Sequence, residues 1–257
     1  MNPTPSSVLQ SFRLDGKRAL VTGAGRGIGL GAAQALAEMG AAVTLAARSQ
    51  SEIEEGARAI RDKGGKADWL VLDVTDLAAV VAAIAEREPY QVLVNNAGTN
   101  RPAPFLEVTV EDFDHVMDLN LRAAFFVAQA VARRLADSGG KGSIINMSSQ
   151  MGHVGAAKRS IYCASKWAME GMTRAMAVDL APHGIRVNTL CPTFIETSLA
   201  GRFLAEPDFK AEVLSKIKLG RLGQVSDLLG AIVFLASDAS SLMTGASLVI
   251  DGGWTAD

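Results

Sequence analysis

A chain of 257 residues allows one large domain or two small ones, and at 49% hydrophobic it can bury a sizeable core. Aromatic residues make up only 5% while glycines number 25, a balance that suits packed helices and sheets better than an all-β sandwich. The 25 Lys+Arg against 27 Asp+Glu leave a net charge of -2, and no basic run or aromatic-interleaved basic stripe calls for nucleic acid. Cys163 and Cys191 are far apart and lack metal-ligand spacing. The expectation is a reduced, cytoplasmic setting with no disulfide framework and no metal. No run reaches the roughly 18 apolar residues of a membrane span, and the N-terminal segment lacks the apolar stretch of a secretory signal. Residues 1–14 read as an N-terminal arm and 15–257 as one catalytic domain.

Taken in order, short apolar runs alternate with longer helical periods. Strands are expected at Arg18–Thr22, Ala42–Ala46, Ala67–Leu72, Val92–Asn95, Ser143–Met147, Arg186–Leu190 and Ser247–Ile250. Helices are expected at Ile28–Met39, Ser51–Lys63, Ala78–Arg87, Val110–Ala136, Ser160–Leu180 and Ser226–Ala236. This alternation implies βαβ crossovers and an α/β, doubly wound parallel sheet of the Rossmann type. Runs such as ALVT, VLVNN and SIINM are continuously apolar, as strands covered on both faces should be. The stretch 193–223 has weak strand character, follows a strand's carboxyl end, and is the candidate substrate lid.

Between the first strand and first helix lies Thr22-Gly23-Ala24-Gly25-Arg26-Gly27-Ile28-Gly29. Glycines let the backbone turn sharply and approach a diphosphate, which the helix N-terminus then faces. The second strand ends in Ala47-Arg48-Ser49, where a site preferring NAD usually carries an acidic residue. Arg48, with Arg26 as a second cation, points to the 2′-phosphate of NADP(H) in preference to NAD(H); two solvated arginines are the alternative. Tyr162 and Lys166 stand four apart on a helix and share a face. A nearby ammonium favours a phenolate, which would bring the Tyr162 pKa down from about 10. Ser148 and Ser149 end the fifth strand, and only one of them should face a site. Asn120 is an odd residue for a helix interior, and Asn95-Asn96-Ala97-Gly98 reads as a turn or a cofactor-lining segment.

Together these residues resemble the short-chain dehydrogenase/reductase family. The likeness runs from Lys17 to Trp254 and includes Asp73-Val74, Arg186-Val187-Asn188 and Asp251-Gly252-Gly253. The resemblance implies a seven-stranded sheet with Tyr162 as acid/base, and it selects Ser149 over Ser148 to hold the substrate oxygen. It implies that Lys166 binds the nicotinamide ribose and lowers the Tyr162 pKa, and that Asn120 holds a water in a relay to Lys166. Asp73 and Val74 would contact adenine, and Asn96, Ala97 and Gly98 would line the cofactor. Pro192 and Ile195 would bind the cofactor, Thr193 would reach the nicotinamide amide, and Thr197 would bind the carboxamide or a phosphate, although Pro192-Thr193 departs from the family's usual Pro-Gly.

The expected function is an NAD(P)-dependent hydride transfer between nicotinamide and a carbonyl or secondary alcohol. Asn100, Arg101, Gln150, His153 and Phe194 are the candidate substrate residues, and their polarity favours a small polyol, sugar or sugar acid. A 3-oxoacyl carrier-protein reductase is the alternative, with Phe203, Leu204 and Phe209 covering an apolar tail. A catalytically silent dinucleotide-binding module is the alternative from another class, but it has no reason to keep Asn120, Ser149, Tyr162 and Lys166 together. Apolar excess on the two long helices (Val127, Val131, Met169, Met172, Met176) points to a homotetramer, a dimer of dimers, and the resemblance implies the same, with the Gly252-Gly253-Trp254 tail at a second interface.

Overall fold

The computed structural model describes residues 7–197, 201 and 206–256. The strands are β1 (Arg18–Thr22), β2 (Ala42–Ala47), β3 (Lys66–Val71), β4 (Val92–Asn95), β5 (Gly142–Met147), β6 (Ile185–Pro192) and β7 (Ser247–Ile250). They form one seven-stranded sheet in the order β3-β2-β1-β4-β5-β6-β7, and every neighbouring pair is parallel. The helices are α1 (Val8–Ser11), α2 (Gly27–Glu38), α3 (Gln50–Asp62), α4 (Leu77–Ala85), α5 (Val110–Met117), α6 (Ala124–Asp137), α7 (Ser160–Leu180), α8 (Pro207–Lys216) and α9 (Ser226–Ala236).

Side chains alternate across the strands, and each face carries its own helical layer. Ala19 and Val21 of β1, Val92 and Val94 of β4, and Ile145 and Met147 of β5 pack with α2, α3 and α9. Leu20, Leu93 and Ile144, one residue out of phase, pack with α4, α6 and α7. This double covering is why the strands read as unbroken apolar runs. Leu20 and Leu93 are fully buried, and each stabilises the fold by about 2 kcal/mol. The strand order reverses direction between β1 and β4, which opens a crevice above their carboxyl ends.

Several expectations differ from this architecture. Leu14 is fully buried in the core and Ser7 caps the turn of α1, so chain assigned to an arm already belongs to the fold. The helix expected over Val110–Ala136 is broken by a π-helical segment, Asp118–Ala123, between α5 and α6. The stretch 193–223 contains α8, which begins with Pro207 and buries only Val213. Residues 198–200 and 202–205 of that stretch, Phe203 and Leu204 among them, lie outside the described residues, as do 1–6 and 257. Val127, Val131 and Met169 are buried within the chain, because α6 and α7 pack them inward, so they leave no apolar excess outside. Trp254 packs on Phe194 at 5.7 Å between ring centroids, and Phe194 meets Phe209 of α8 at 5.8 Å. Among the described residues, no helix is long and apolar enough to cross a membrane.

Candidate active site

The loop after β1 is shaped by its glycines. Gly23 and Gly27 have φ of +62° and +57°, in the left-handed region where glycine pays no steric penalty. A Cβ at Gly29 would lie 2.3 Å from the Gly23 carbonyl oxygen and 2.6 Å from Asn96 Nδ2. The start of α2 therefore lies directly on the loop. Asn96 holds the loop from below: its Nδ2 donates to the carbonyls of Thr22 at 3.0 Å and Gly23 at 3.2 Å. Thr22 Oγ1 in turn accepts from the backbone N–H groups of Asn96 at 3.0 Å and Ala97 at 3.1 Å. Arg26, at the N-cap of α2, makes no side-chain cap bond, so the first-turn N–H groups are there for an anion. This backbone cradle, closed to any side chain at Gly29, fits a dinucleotide diphosphate.

Ser149, Tyr162 and Lys166 come together at the other end of the cleft. Ser149 follows β5 and caps a short 3₁₀ turn, Gln150–Gly152, by accepting from the Met151 N–H at 3.1 Å. Tyr162 and Lys166 lie one turn apart on α7, with Lys166 Nζ 5.6 Å from the Tyr162 ring centroid. Lys166 is buried and its Nζ donates to the Met147 carbonyl at 2.7 Å. Burial brings its pKa down to about 8, against the upward pull of Cys191 and Glu170. Tyr162 moves opposite to expectation: burial pushes its phenol up, while a Ser149 hydrogen bond and the positive charge of Arg159 oppose the rise. Lys166 does not lower it here, because burial lets the ammonium lose its own proton below the range in which the phenol ionises.

Asn120 sits in the π-helical segment, fully buried behind this pair. Its Oδ1 accepts from the Thr99 N–H at 2.7 Å, and its Nδ2 donates to the Thr99 carbonyl at 2.9 Å and to Ser165 Oγ at 3.1 Å. Both amide hydrogens are thus engaged, and Ser165 Oγ donates onward to the Tyr162 carbonyl at 2.8 Å. The π segment, an arrangement found frequently at functional sites, joins β4's following loop to α7.

One cleft of about 930 Å³ connects the two ends. Its wall holds Gly23, Gly25, Arg26, Gly27, Ile28, Arg48, Asp73, Val74, Asn96, Ala97, Gly98, Pro192, Thr193, Ile195 and Thr197 together with Ser149, Tyr162 and Lys166. Asp73 accepts from the Thr75 N–H at 2.9 Å and hydroxyl at 2.7 Å, bonds that hold its carboxyl below the usual range. Of the residues expected to meet substrate, Asn100, Gln150 and Phe194 line the cleft, whereas Arg101 and His153 do not. Arg101 is paired with Asp112 at 2.6 Å. His153 turns away toward Cys191 Sγ at 3.4 Å and Glu170 at 3.9 Å. The sequence reading missed Arg159, which is buried in the cleft wall one turn before Tyr162. Gln150 is 1% exposed, and neither end of its amide has a protein partner among the described residues; the buried Thr193 hydroxyl also lacks one.

A doubly wound parallel sheet, a diphosphate cradle at its switch point and a Tyr–Lys pair beside a strand-end serine define an NAD(P)-dependent oxidoreductase acting on CH–OH carbons. Comparison with known proteins agrees. Residues 23–255 match the sequence profile of a family described as enoyl-(acyl carrier protein) reductase. The chain is 41% identical over 248 residues to gluconate 5-dehydrogenase of Gluconobacter oxydans, covering 95% of this chain and 96% of that one. It is 40% identical over 244 residues to D-erythrulose reductase of Gallus gallus, covering 95% and 97%. A solved gluconate 5-dehydrogenase from Burkholderia cenocepacia, in complex with NADP and tartrate, superposes with a TM-score of 0.94 at 42% identity, covering 98% of this chain and 100% of that one. The chain belongs to the short-chain dehydrogenase/reductase family.

Proposed function

We propose that the protein reversibly oxidises a secondary alcohol of a small polyhydroxylated substrate, a polyol, sugar or sugar acid, with NADP(H) as the preferred cofactor. The observation that carries this reading is the Gln150 amide, buried in the cleft wall beside Ser149 with neither polar end partnered among the described residues. Leaving a buried polar group unsatisfied costs about 1–3 kcal/mol, and substrate hydroxyls arriving at the cleft would relieve that cost. A site that hydrogen-bonds hydroxyls rejects analogues lacking them by a large factor. The relatives act, by their names, on gluconate and erythrulose, which are substrates of this kind.

In this reading the loop after β1 and Lys166 would hold a nicotinamide cofactor, which when bound would supply or accept the hydride. Tyr162 passes a proton to or from the substrate oxygen, and Ser149 holds that oxygen by hydrogen bond. Lys166 would donate hydrogen bonds to the ribose, and Arg159 supplies the positive charge near the phenol. Asn120 keeps the Thr99 loop and α7 in register; with both amide hydrogens engaged, any relay water would be held by its backbone. The assay that tests the reading compares kcat/KM for polyols, ketoses and sugar acids with that for acetoacetyl thioesters, followed by cofactor absorbance. A clear win for the thioester would put the carrier-protein reductase reading first.

The NADP(H) preference rests on Arg48, exposed with its Nη1 4.0 Å from Asp73, and on Arg26, which lines the same cleft and is paired with Glu52 at 3.3 Å. A solved relative carries NADP. A homotetramer is the assembly this reading favours. The apolar side chains left outside the chain include Phe113, Phe125, Trp167 and Val178, from α5, α6 and α7, with Trp167 54% exposed. Closed symmetric association would bury exposed apolar side chains of that kind. Light scattering that reports a monomer at micromolar concentration would contradict the tetramer.

A further inference from the structure

Beside the turn that carries Ser149, but outside the cleft wall, three metal-ligating side chains converge: His153, Glu170 and Cys191. They come from the end of the 3₁₀ turn after β5, from the middle of α7 and from β6, so no ligand spacing shows in the sequence. His153 Nε2 stands 3.4 Å from Cys191 Sγ and 3.9 Å from Glu170 Oε1, and the sulfur stands 3.3 Å from that oxygen. Bonds of about 2.0–2.3 Å in a tetrahedral zinc site place its ligand atoms about 3.3–3.7 Å apart. The three atoms therefore already outline one face of such a tetrahedron, with only the His153–Glu170 edge long, by about half an ångström. The carboxyl group is held from behind. Glu170 Oε2 accepts from Thr189 Oγ1 at 2.9 Å and Ser247 Oγ at 2.5 Å, which leaves Oε1 facing the thiol and the imidazole. Outer partners of this kind orient ligating groups in metal sites. Ser148 Oγ, 3% exposed, is a second buried polar atom beside the Cys191 thiol, and it completes no hydrogen bond of ordinary geometry among the described residues. A Cβ at Gly152 would meet Ser148 Oγ at 3.0 Å and Glu170 Cγ at 3.1 Å, so Ser148 and Glu170 close on the same small space. Within it the sulfur faces a third heteroatom, Thr189 Oγ1 at 3.4 Å, with only one weak S–H to share. Cys191 and Glu170 are buried, whereas the His153 side chain keeps 27% of its surface exposed and marks the way in.

We propose that His153 Nε2, Glu170 Oε1 and Cys191 Sγ form a structural zinc site, with a water in the fourth position. The donor set is that of a borderline-soft ion: imidazole and thiolate suit zinc and disfavour magnesium or calcium. A carboxylate and a thiolate together balance the two charges of the ion, so the filled site is neutral. Burial pushes the Cys191 thiol up to about 12, so the sulfur keeps its proton until the ion enters. The zinc–sulfur bond then replaces the S–H bond, the proton leaves to solvent, and no electron is transferred. None of the three ligands lines the cleft, so the ion supplies no chemistry to the substrate. Its work is mechanical. It would tie the Ser149 turn, through His153, to α7 one turn beyond Lys166 and to the end of β6 just before Pro192. Those are three of the segments that build the reacting end of the cleft.

The test uses Co²⁺ as a spectroscopic stand-in for zinc and does not depend on turnover. Full-length protein is treated with a chelator, dialysed and titrated with Co²⁺, then with Zn²⁺. The native protein should bind one Co²⁺ per chain, with a thiolate-to-cobalt charge-transfer band in the near ultraviolet and visible bands of tetrahedral intensity, and Zn²⁺ should bleach both. At a hundredfold excess of Zn²⁺ over its Kd the melting temperature should rise by about 5 °C. Cys191→Ser should abolish the charge-transfer band and weaken Co²⁺ binding on the order of 100-fold or more. Cys163→Ser removes the other free cysteine and should leave band and affinity native. His153→Asn alters the partly exposed ligand and keeps the sulfur, so it should weaken binding similarly and reads out the site if Cys191→Ser does not fold. A native protein that shows no charge-transfer band, a band that survives Cys191→Ser or is lost in Cys163→Ser, or Co²⁺ affinity unmoved by His153→Asn would overturn the inference, with the oxidoreductase reading untouched.

Discussion

Replacing Gly29 by alanine adds one methyl group at the point where α2 touches the diphosphate loop. That carbon would stand 2.3 Å from the Gly23 carbonyl oxygen, 2.6 Å from Asn96 Nδ2 and 2.9 Å from the Gly23 carbonyl carbon. Two of these three neighbours are backbone, so no rotamer change relieves the clash. Either α2 moves off the loop, or the loop moves and breaks the Asn96 bonds to the Thr22 and Gly23 carbonyls. Overpacking costs about 1–3 kcal/mol, and each lost hydrogen bond adds about 1 kcal/mol. The expected destabilisation is therefore about 1–3 kcal/mol if α2 yields and about 3–5 kcal/mol if the loop does, read from urea unfolding followed by circular dichroism. NADPH titration of the folded variant should show affinity weakened at least tenfold, because the displaced loop is the diphosphate cradle. Gly155→Ala is the control: nothing lies within 4 Å of its new methyl group, so stability should stay within about 0.5 kcal/mol. A Gly29→Ala protein that unfolds at the native midpoint and binds NADPH natively would refute the close-approach argument.

Other perturbations follow from the same geometry. Lys166 has a folded pKa depressed to about 8 from 10.5; its charged form is disfavoured in the fold, so its contribution to stability improves as pH rises from about 8 toward 10.5. The cofactor-free protein should gain about 2 kcal/mol relative to Lys166→Met between pH 7 and 9.5 by urea unfolding; no relative change would mean that the lysine titrates normally. Asn120→Ala strands the Thr99 N–H and carbonyl and should cost about 2–4 kcal/mol, with thermal unfolding as the readout; a native-like melting temperature would contradict the tie. Arg48→Asp should lower the NADP-to-NAD ratio of kcat/KM at least tenfold through loss of the 2′-phosphate contact, and an unchanged ratio would remove Arg48 from cofactor choice.

Much of the fold is legible in the sequence because both sheet faces are covered. β1, β4 and β7 begin and end where their apolar runs do, and α7 and α9 match their helical periods. α8 is not legible, since in PDFKAEVLSK the apolar stripe is only Phe209, Val213 and Leu214, and of these only Val213 is buried. The π segment inside the long helix is equally hidden from a 3.6-residue period, although the misplaced polarity of Asn120 marks the spot. In the site, the spacing of Ser149, Tyr162 and Lys166 carries over because helix and strand-end geometry is local. Arg101, His153 and Arg159 were misjudged or missed because their settings are set by distant chain. Asp112 captures Arg101, Glu170 and Cys191 draw His153 away, and Phe209 covers an arginine that a sequence reads as solvated.

The central claim is that the Tyr162 phenol carries the proton of the reaction. Tyr162→Phe keeps the ring that packs beside Lys166 and removes only the hydroxyl. Measured with NADPH and the best carbonyl substrate, kcat should fall by about 10²–10⁴-fold, while the NADPH Kd from fluorescence titration stays within about threefold of native, far less than the loss in rate. Near-native kcat in that variant would contradict the account.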